Sequence, residues 1–190
     1  MKKMLTYLLL ILLLAVGGWL VTQTYQTLQT KKEIGERIKT LQHYSFELLN
    51  GEQIFIDEFD NRKPTVIIYF NPECEHCQYE ASEIGAQPEQ FEKANMILVT
   101  PDDSAKRVEA FALKYHLWEI DNLTILLDRE KQFKNRFGTA VFPSTFIYGS
   151  DKKLVKMFRG ETRMDAIIKS LPPISSTSGG ENGAKATWTE

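Results

Sequence analysis

Hydrophobic and polar positions divide the chain into an apolar start, a polar connector, an alternating central region and a polar end. Leu5–Val21 is an apolar run broken only near its start by Thr6 and Tyr7. As a helix it reaches about 26 Å, slightly short of the roughly 30 Å hydrocarbon core of a bilayer. In the central region, Tyr44–Leu49 and Gln53–Ile56 flank Asn50-Gly51, which predicts a two-residue β-hairpin. Thr65–Phe70 is a continuous β-branched and aromatic run, the pattern of a strand buried on both faces. A helix is expected from about Cys74 to Gly85, then a second helical piece opened by Pro88. Met96–Thr100 reads as the next buried strand. Ser104–Tyr115 has helical spacing, with Val108, Phe111, Ala112 and Tyr115 on one face. Thr124–Leu127 is a further strand, and Lys131–Phe137 a short helix stopped by Gly138. Ser144–Tyr148 and Leu154–Arg159 flank the turn Gly149–Lys152, and Thr162-Arg163-Met164-Asp165 reads as a capping box opening a last helix. The order ββ-βα-βα-βα-ββ-α places the domain in the α/β class, a mixed sheet flanked by helices with an extra N-terminal hairpin.

The flanks set the compartment. Lys2 and Lys3 favour a cytoplasmic N-terminus, so everything after Val21 is expected outside, with Trp19 near the far membrane interface. Ala15-Val16-Gly17 also offers a signal-peptide cleavage site, although the apolar run continues through Trp19, Leu20 and Val21. Both readings put the domain on the extracytoplasmic, periplasmic side. The chain then divides into an anchor or signal peptide (1–22), a polar stalk (23–42), the α/β domain (43–171) and a disordered tail rich in Pro, Ser and Gly (172–190). Inner-membrane lipid is the expected partner of residues 5–21. The net charge of −2, with both signs interspersed, offers no basic surface for nucleic acid.

Chemistry enters with Cys74-Glu75-His76-Cys77, which contains both of the chain's 2 cysteines. A structural bridge between residues so close in sequence would contribute at best about 2 kcal/mol before strain. Reversible dithiol–disulfide exchange is the better use of the pair. Unpaired N–H groups at a helix start favour a thiolate on Cys74, and His76 adds to this if protonated or bonded to the sulfur. Glu73 and Glu75 oppose it. Cys77, one turn further in, is expected to be more buried and to resolve the mixed disulfide formed by Cys74. Zinc would need about four ligands, and Cys74, Cys77 and His76 do not readily converge on one ion, so no metal is expected. Soft thiolates beside a histidine leave Cu(I) open. His43 and His116 have no ligand-spaced companion, and Trp118, Phe111, Tyr115, Phe133 and Phe137 are expected in the core.

The element order, the segment Lys63–Cys77 and the segment Phe137–Ile147 together resemble the thioredoxin-like superfamily over about Tyr44 to Leu171. The resemblance implies a thioredoxin-like fold in which Pro143 is a cis proline facing the cysteines, and in which the backbone at Phe142 pairs with an extended substrate. The anchor and the extra hairpin look most like membrane-tethered reductases of the cytochrome c maturation and thiol-maintenance type. Their implied partners are thiols and disulfides of exported proteins and a membrane-embedded electron donor, with no cofactor. That group carries an acid at the position of Glu80, credited with proton handling; the alternative is a solvated helix-surface glutamate. The chain departs from cytoplasmic thioredoxin where Ile68 replaces a buried aspartate and Glu73 a tryptophan. His76 before the second cysteine resembles the oxidase pattern, so an oxidase of the same fold stays open. So does a copper chaperone. A thioredoxin-fold peroxidase is the third alternative, although its usual Thr-x-x-Cys is absent because Asn71 stands three residues before Cys74.

Overall fold

The computed structural model describes residues 2–174. Its strands are β1 (Ser45–Leu48), β2 (Gln53–Phe55), β3 (Thr65–Tyr69), β4 (Asn95–Thr100), β5 (Leu123–Leu127), β6 (Ser144–Tyr148) and β7 (Leu154–Arg159). Its helices are α1 (Lys2–Arg37), α2 (Glu75–Ala86), α3 (Ala105–Lys114), α4 (Phe133–Phe137) and α5 (Met164–Lys169). The strands form one 7-stranded sheet in the order β2-β1-β5-β4-β3-β6-β7. β3, β4 and β5 run parallel in its middle; β6 and β7 on one side and β1 and β2 on the other are antiparallel. This is the expected mixed α/β sheet with its N-terminal hairpin.

Alternation along the central strands divides the core in two. Val66, Ile68 and Phe70 of the β3 segment, with Met96 and Leu98 of β4, face one layer that includes α2, α3 and α5. Ile67, Tyr69, Ile97 and Val99 face the other, where α4 and the end of α1 pack. Strands covered on both faces need apolar residues at every position, which is why these runs are unbroken. Phe133 sits at the centre of the second layer, its ring stacked 4.0 Å from Tyr69 and 4.2 Å from Phe137.

Several local expectations are corrected. The β1–β2 turn is Leu49-Asn50-Gly51, three residues rather than two: Leu48 N–H donates to Glu52 O (2.7 Å) and Gly51, at φ +92°, takes the left-handed position. The piece after Pro88 is a short 3₁₀ turn, Pro88–Phe91. The capping box at Thr162 does not form. Arg163 is the N-cap of α5 and makes no side-chain capping bond, while the Thr162 hydroxyl donates back to Gly160 O at 3.1 Å. Trp118 lies on the surface, 48% exposed, because Leu117 fills the core position in that turn. Gly138 caps α4 in the left-handed region as expected, at φ +74°.

The polar connector is helical through Arg37 and its end is built into the domain. Ile38 and Leu41 are buried. Tyr148 Oη donates to Ile38 O (3.1 Å), and Leu154 N–H donates to Lys39 O (2.8 Å). The anchor expected over residues 5–21 lies partly outside the described residues, since the side chains of 2–6 and 8–11 are not among them. Among the described residues no helix is long and apolar enough to cross a membrane. Of the expected tail, residues 175–190 also lie outside the described residues.

Candidate redox site

The site forms where β3 ends. Phe70 N–H still bonds to the sheet through Val99 O (2.9 Å), and the chain then turns. Asn71 Oδ1 accepts from Glu73 N–H (2.8 Å) and Asn71 O from Cys74 N–H (3.0 Å). This turn places Cys74 at the N-cap of α2 in extended conformation, φ −82° and ψ 119°, with no side-chain capping bond. Its carbonyl accepts from Gln78 N–H at 3.0 Å, so the helix begins on Cys74 itself. Cys74 is half-buried and Cys77 buried, and both thiols are free. Burial pushes the Cys77 thiol up, helped by Cys74 and Glu80 beside it and opposed by a backbone N–H at Asn71.

Across from the thiols lies the loop before β6. The Phe142–Pro143 peptide bond is cis. The Cys74 thiol donates to Phe142 O at 3.8 Å, so Phe142 already lies against the outer sulfur. The Phe142 ring packs 4.8 Å from Tyr69. Pro143 O accepts from Gly160 N–H at 2.8 Å, which holds the loop to the far end of β7.

Glu80 is not a solvated surface residue. Only 2% of it is exposed. One carboxyl oxygen accepts from the Thr162 N–H at 2.8 Å, while Oε2 is buried without a hydrogen-bond partner. Ile68, Phe70, Cys77, Ala81, Leu98 and Phe111 line a small cavity with it. Burial among these groups, with a smaller push from Glu161, raises Glu80 to about 7, against the Thr162 N–H and His76, which lower it. Glu80 and Ile68 thus share one cavity: the acid reaches from the helix the space under the strand residue that lacks a carboxylate.

Of the two ways open to His76, a charge or a hydrogen bond to the sulfur, its Nδ1 is not used for the second: it pairs with Glu161 Oε2 in the loop between β7 and α5. Glu73 is held by Arg107 Nη1 at 2.7 Å, and Arg107 Nε pairs with Asp102 at 2.8 Å, so its negative charge is partly neutralised from α3. The fold therefore brings together Cys74, Cys77, Glu80, Phe142 and Pro143, with His76 at the rim. Glu161, Thr162 and Arg107 complete the surroundings and were not anticipated. His76 and Glu161 are 85 residues apart, and no local pattern marks either the Glu161 carboxylate or the Thr162 amide. Among the described residues no cluster of three or more His, Cys, Asp or Glu is placed to hold a metal ion.

A dithiol at the start of a helix, opposite a cis-proline loop at the end of a mixed sheet, defines a thioredoxin-like redox protein. Residues 38–157 match the AhpC/TSA family, and the chain belongs to that family. It is 28% identical over 152 residues to the thioredoxin-like protein YneN of Bacillus subtilis, covering 77% of this chain and 84% of the relative. It is also 24% identical over 178 residues to the thiol-disulfide oxidoreductase ResA of Bacillus thuringiensis, covering 92% of this chain and 98% of that protein. Among solved structures, a secreted Mycobacterium tuberculosis disulfide oxidoreductase homologous to Escherichia coli DsbE superposes with a TM-score of 0.58 at 18% identity. That match covers 71% of this chain and 96% of the other, and it shows the shared fold.

Proposed function

We propose that this protein is an extracytoplasmic thiol–disulfide oxidoreductase that reduces disulfides in exported proteins, held at the membrane by residues 5–21. The observation that carries the reading is the buried Glu80 carboxyl, with one oxygen unpartnered, sharing a cavity with the buried Cys77. Resolution of a mixed disulfide needs Cys77 to lose a proton inside an apolar surround, and an acid whose carboxyl has been raised to about 7 is suited to accept it near neutral pH. The Cys74 thiolate attacks a substrate sulfur, breaking the substrate S–S bond and releasing one substrate thiolate. Cys77 then passes its proton to Glu80 and attacks Cys74; the second substrate thiolate leaves, and Cys74 and Cys77 are oxidised to a disulfide. The protonated Glu80 returns its proton to the departing thiolate or to water. Regeneration requires two electrons from a dithiol donor, for which a membrane-embedded reductant is the fitting source.

The Phe142 backbone, beside Cys74, supports an extended substrate segment laid against the cis-proline loop. The commitment of His76 Nδ1 to Glu161 favours the reductase direction, since a histidine bonded to the outer sulfur would stabilise the reduced pair and make the protein oxidising. The relatives' names support the thiol–disulfide chemistry, and the secreted structural neighbour supports export. Apocytochromes with oxidised haem-attachment cysteines are the substrate class that the cytochrome c maturation resemblance nominates.

Turnover separates this reading from that of a peroxidase. Dithiol-driven reduction of insulin is expected to be accelerated by the protein, with the gain abolished in Cys74→Ser, while hydrogen peroxide consumption stays at background. Rapid peroxide consumption without insulin reduction would overturn the assignment.

A further inference from the structure

The three consecutive residues Gly160, Glu161 and Thr162 touch three different parts of the redox site. Gly160 N–H donates to Pro143 O (2.8 Å) on the substrate loop. The Glu161 carboxylate pairs with His76 Nδ1 on the first turn of α2. Thr162 N–H donates to Glu80 Oε1 (2.8 Å) on the next turn of the same helix. His76 and Glu80 are four residues apart, so they lie on one face of α2, and the loop spans that face.

Resting on the reductase reading, we propose that Glu161 is a positioning residue that holds His76 away from the Cys74 sulfur and sets the pH at which Glu80 can take the Cys77 proton. The charges facing Glu80 are few. His76 and Cys77 belong to its own helix, and Glu161 comes from the loop. β3, β4 and α3 line its cavity with Ile68, Leu98 and Phe111, and α5 packs on the same layer through Met164 and Ile167, with Arg163, Asp165 and Lys169 exposed. Glu161 and His76 therefore act on Glu80 with opposite sign: the carboxylate disfavours a second negative charge beside it, and a protonated imidazole favours one. The pair also lies on the rim, with His76 and Glu161 side chains 64% and 43% exposed, while Glu80 is buried. A change at the rim is thereby transmitted to a proton acceptor that solvent does not reach directly.

The resolving step can be observed alone by mixing the reduced full chain with a chromogenic aryl disulfide. Attack by Cys74 releases the first aryl thiolate in a second-order phase, and attack by Cys77 on the resulting mixed disulfide releases the second in a first-order phase. The first-order rate is expected to rise with pH as Glu80 becomes able to accept the proton. Glu161→Gln should move the midpoint of that rise to lower pH by about half a unit or more, and His76→Gln should move it to higher pH. Glu161→Asp should stay near the wild type. With Glu80→Gln as background, neither rim substitution should move the profile. Unmoved midpoints, or both variants shifting the same way as general loosening would produce, overturn the role of Glu161. Absence of the first-order phase from the wild type itself would overturn the dithiol mechanism and this inference with it.

Discussion

Glutamine in place of Glu80 is expected to slow disulfide reduction near pH 7 by about a hundred-fold, the usual scale for losing a general acid or base, while making the folded protein more stable at alkaline pH. The two effects share one cause. Burial holds the carboxyl up to about 7, above its ordinary 4.5, so the native protein keeps a proton that the unfolded chain releases between those values. The contribution of this group to stability is complete below the unfolded value and falls as pH rises through the folded one. Above pH 7 the loss amounts to about 3 kcal/mol, taking about 1.4 kcal/mol per unit, and an uncharged glutamine removes it. Chemical denaturation at pH 5 and pH 8 tests the sign: the wild type should lose stability between them relative to the variant. A variant less stable than wild type at pH 8, or fully active at neutral pH, would exclude a proton-handling role for Glu80.

Replacing Phe133 by alanine is expected to cost about 3–5 kcal/mol, a large part of the 5–15 kcal/mol that holds a typical domain folded. Phe133 has no exposed surface. Its ring lies 4.0 Å from Tyr69 and 4.2 Å from Phe137, and meets Phe146 edge-on at 5.8 Å. Tyr69 in turn supports Phe142, 4.8 Å away, so the cavity would loosen the cis-proline loop as well as the core. The denaturant midpoint should fall with little change in slope, and at permissive temperature KM for protein disulfides should rise more than kcat falls. A loss below about 1 kcal/mol would mean that the aromatic cluster contributes less than close packing requires.

The fold was legible because its centre is built from unbroken apolar strands. Thr65–Tyr69 and Asn95–Thr100 are buried along their whole length, and short apolar runs rich in β-branched residues between turn signals favour strands over helices. The dithiol was legible from its own spacing, whereas the cis proline and the acid at Glu80 were suggested only by the resemblance of their segments to a known superfamily, with a solvated glutamate left open at position 80. What failed to show depends on contacts between distant segments. Thr162 has the local pattern of a cap, but its amide is used by Glu80, which draws the loop toward α2 and leaves Arg163 as the N-cap. His76 reads as a neighbour of Cys74, yet a carboxylate 85 residues away takes its Nδ1. The connector before β1 reads as a polar stalk by composition, whereas Ile38 and Leu41 supply two of its buried residues to the core. Two apolar side chains just beyond the end of α1 are too few to stand out as periodicity.

The attacking role of Cys74 is tested most directly by expressing Cys77→Ala in the native host and identifying what remains disulfide-linked to it under non-reducing conditions. The predicted result is a set of exported proteins joined through Cys74, released by a dithiol, and absent when Cys74 is also replaced by alanine. Recovery of no linked protein, or of the same linked proteins without Cys74, would contradict it.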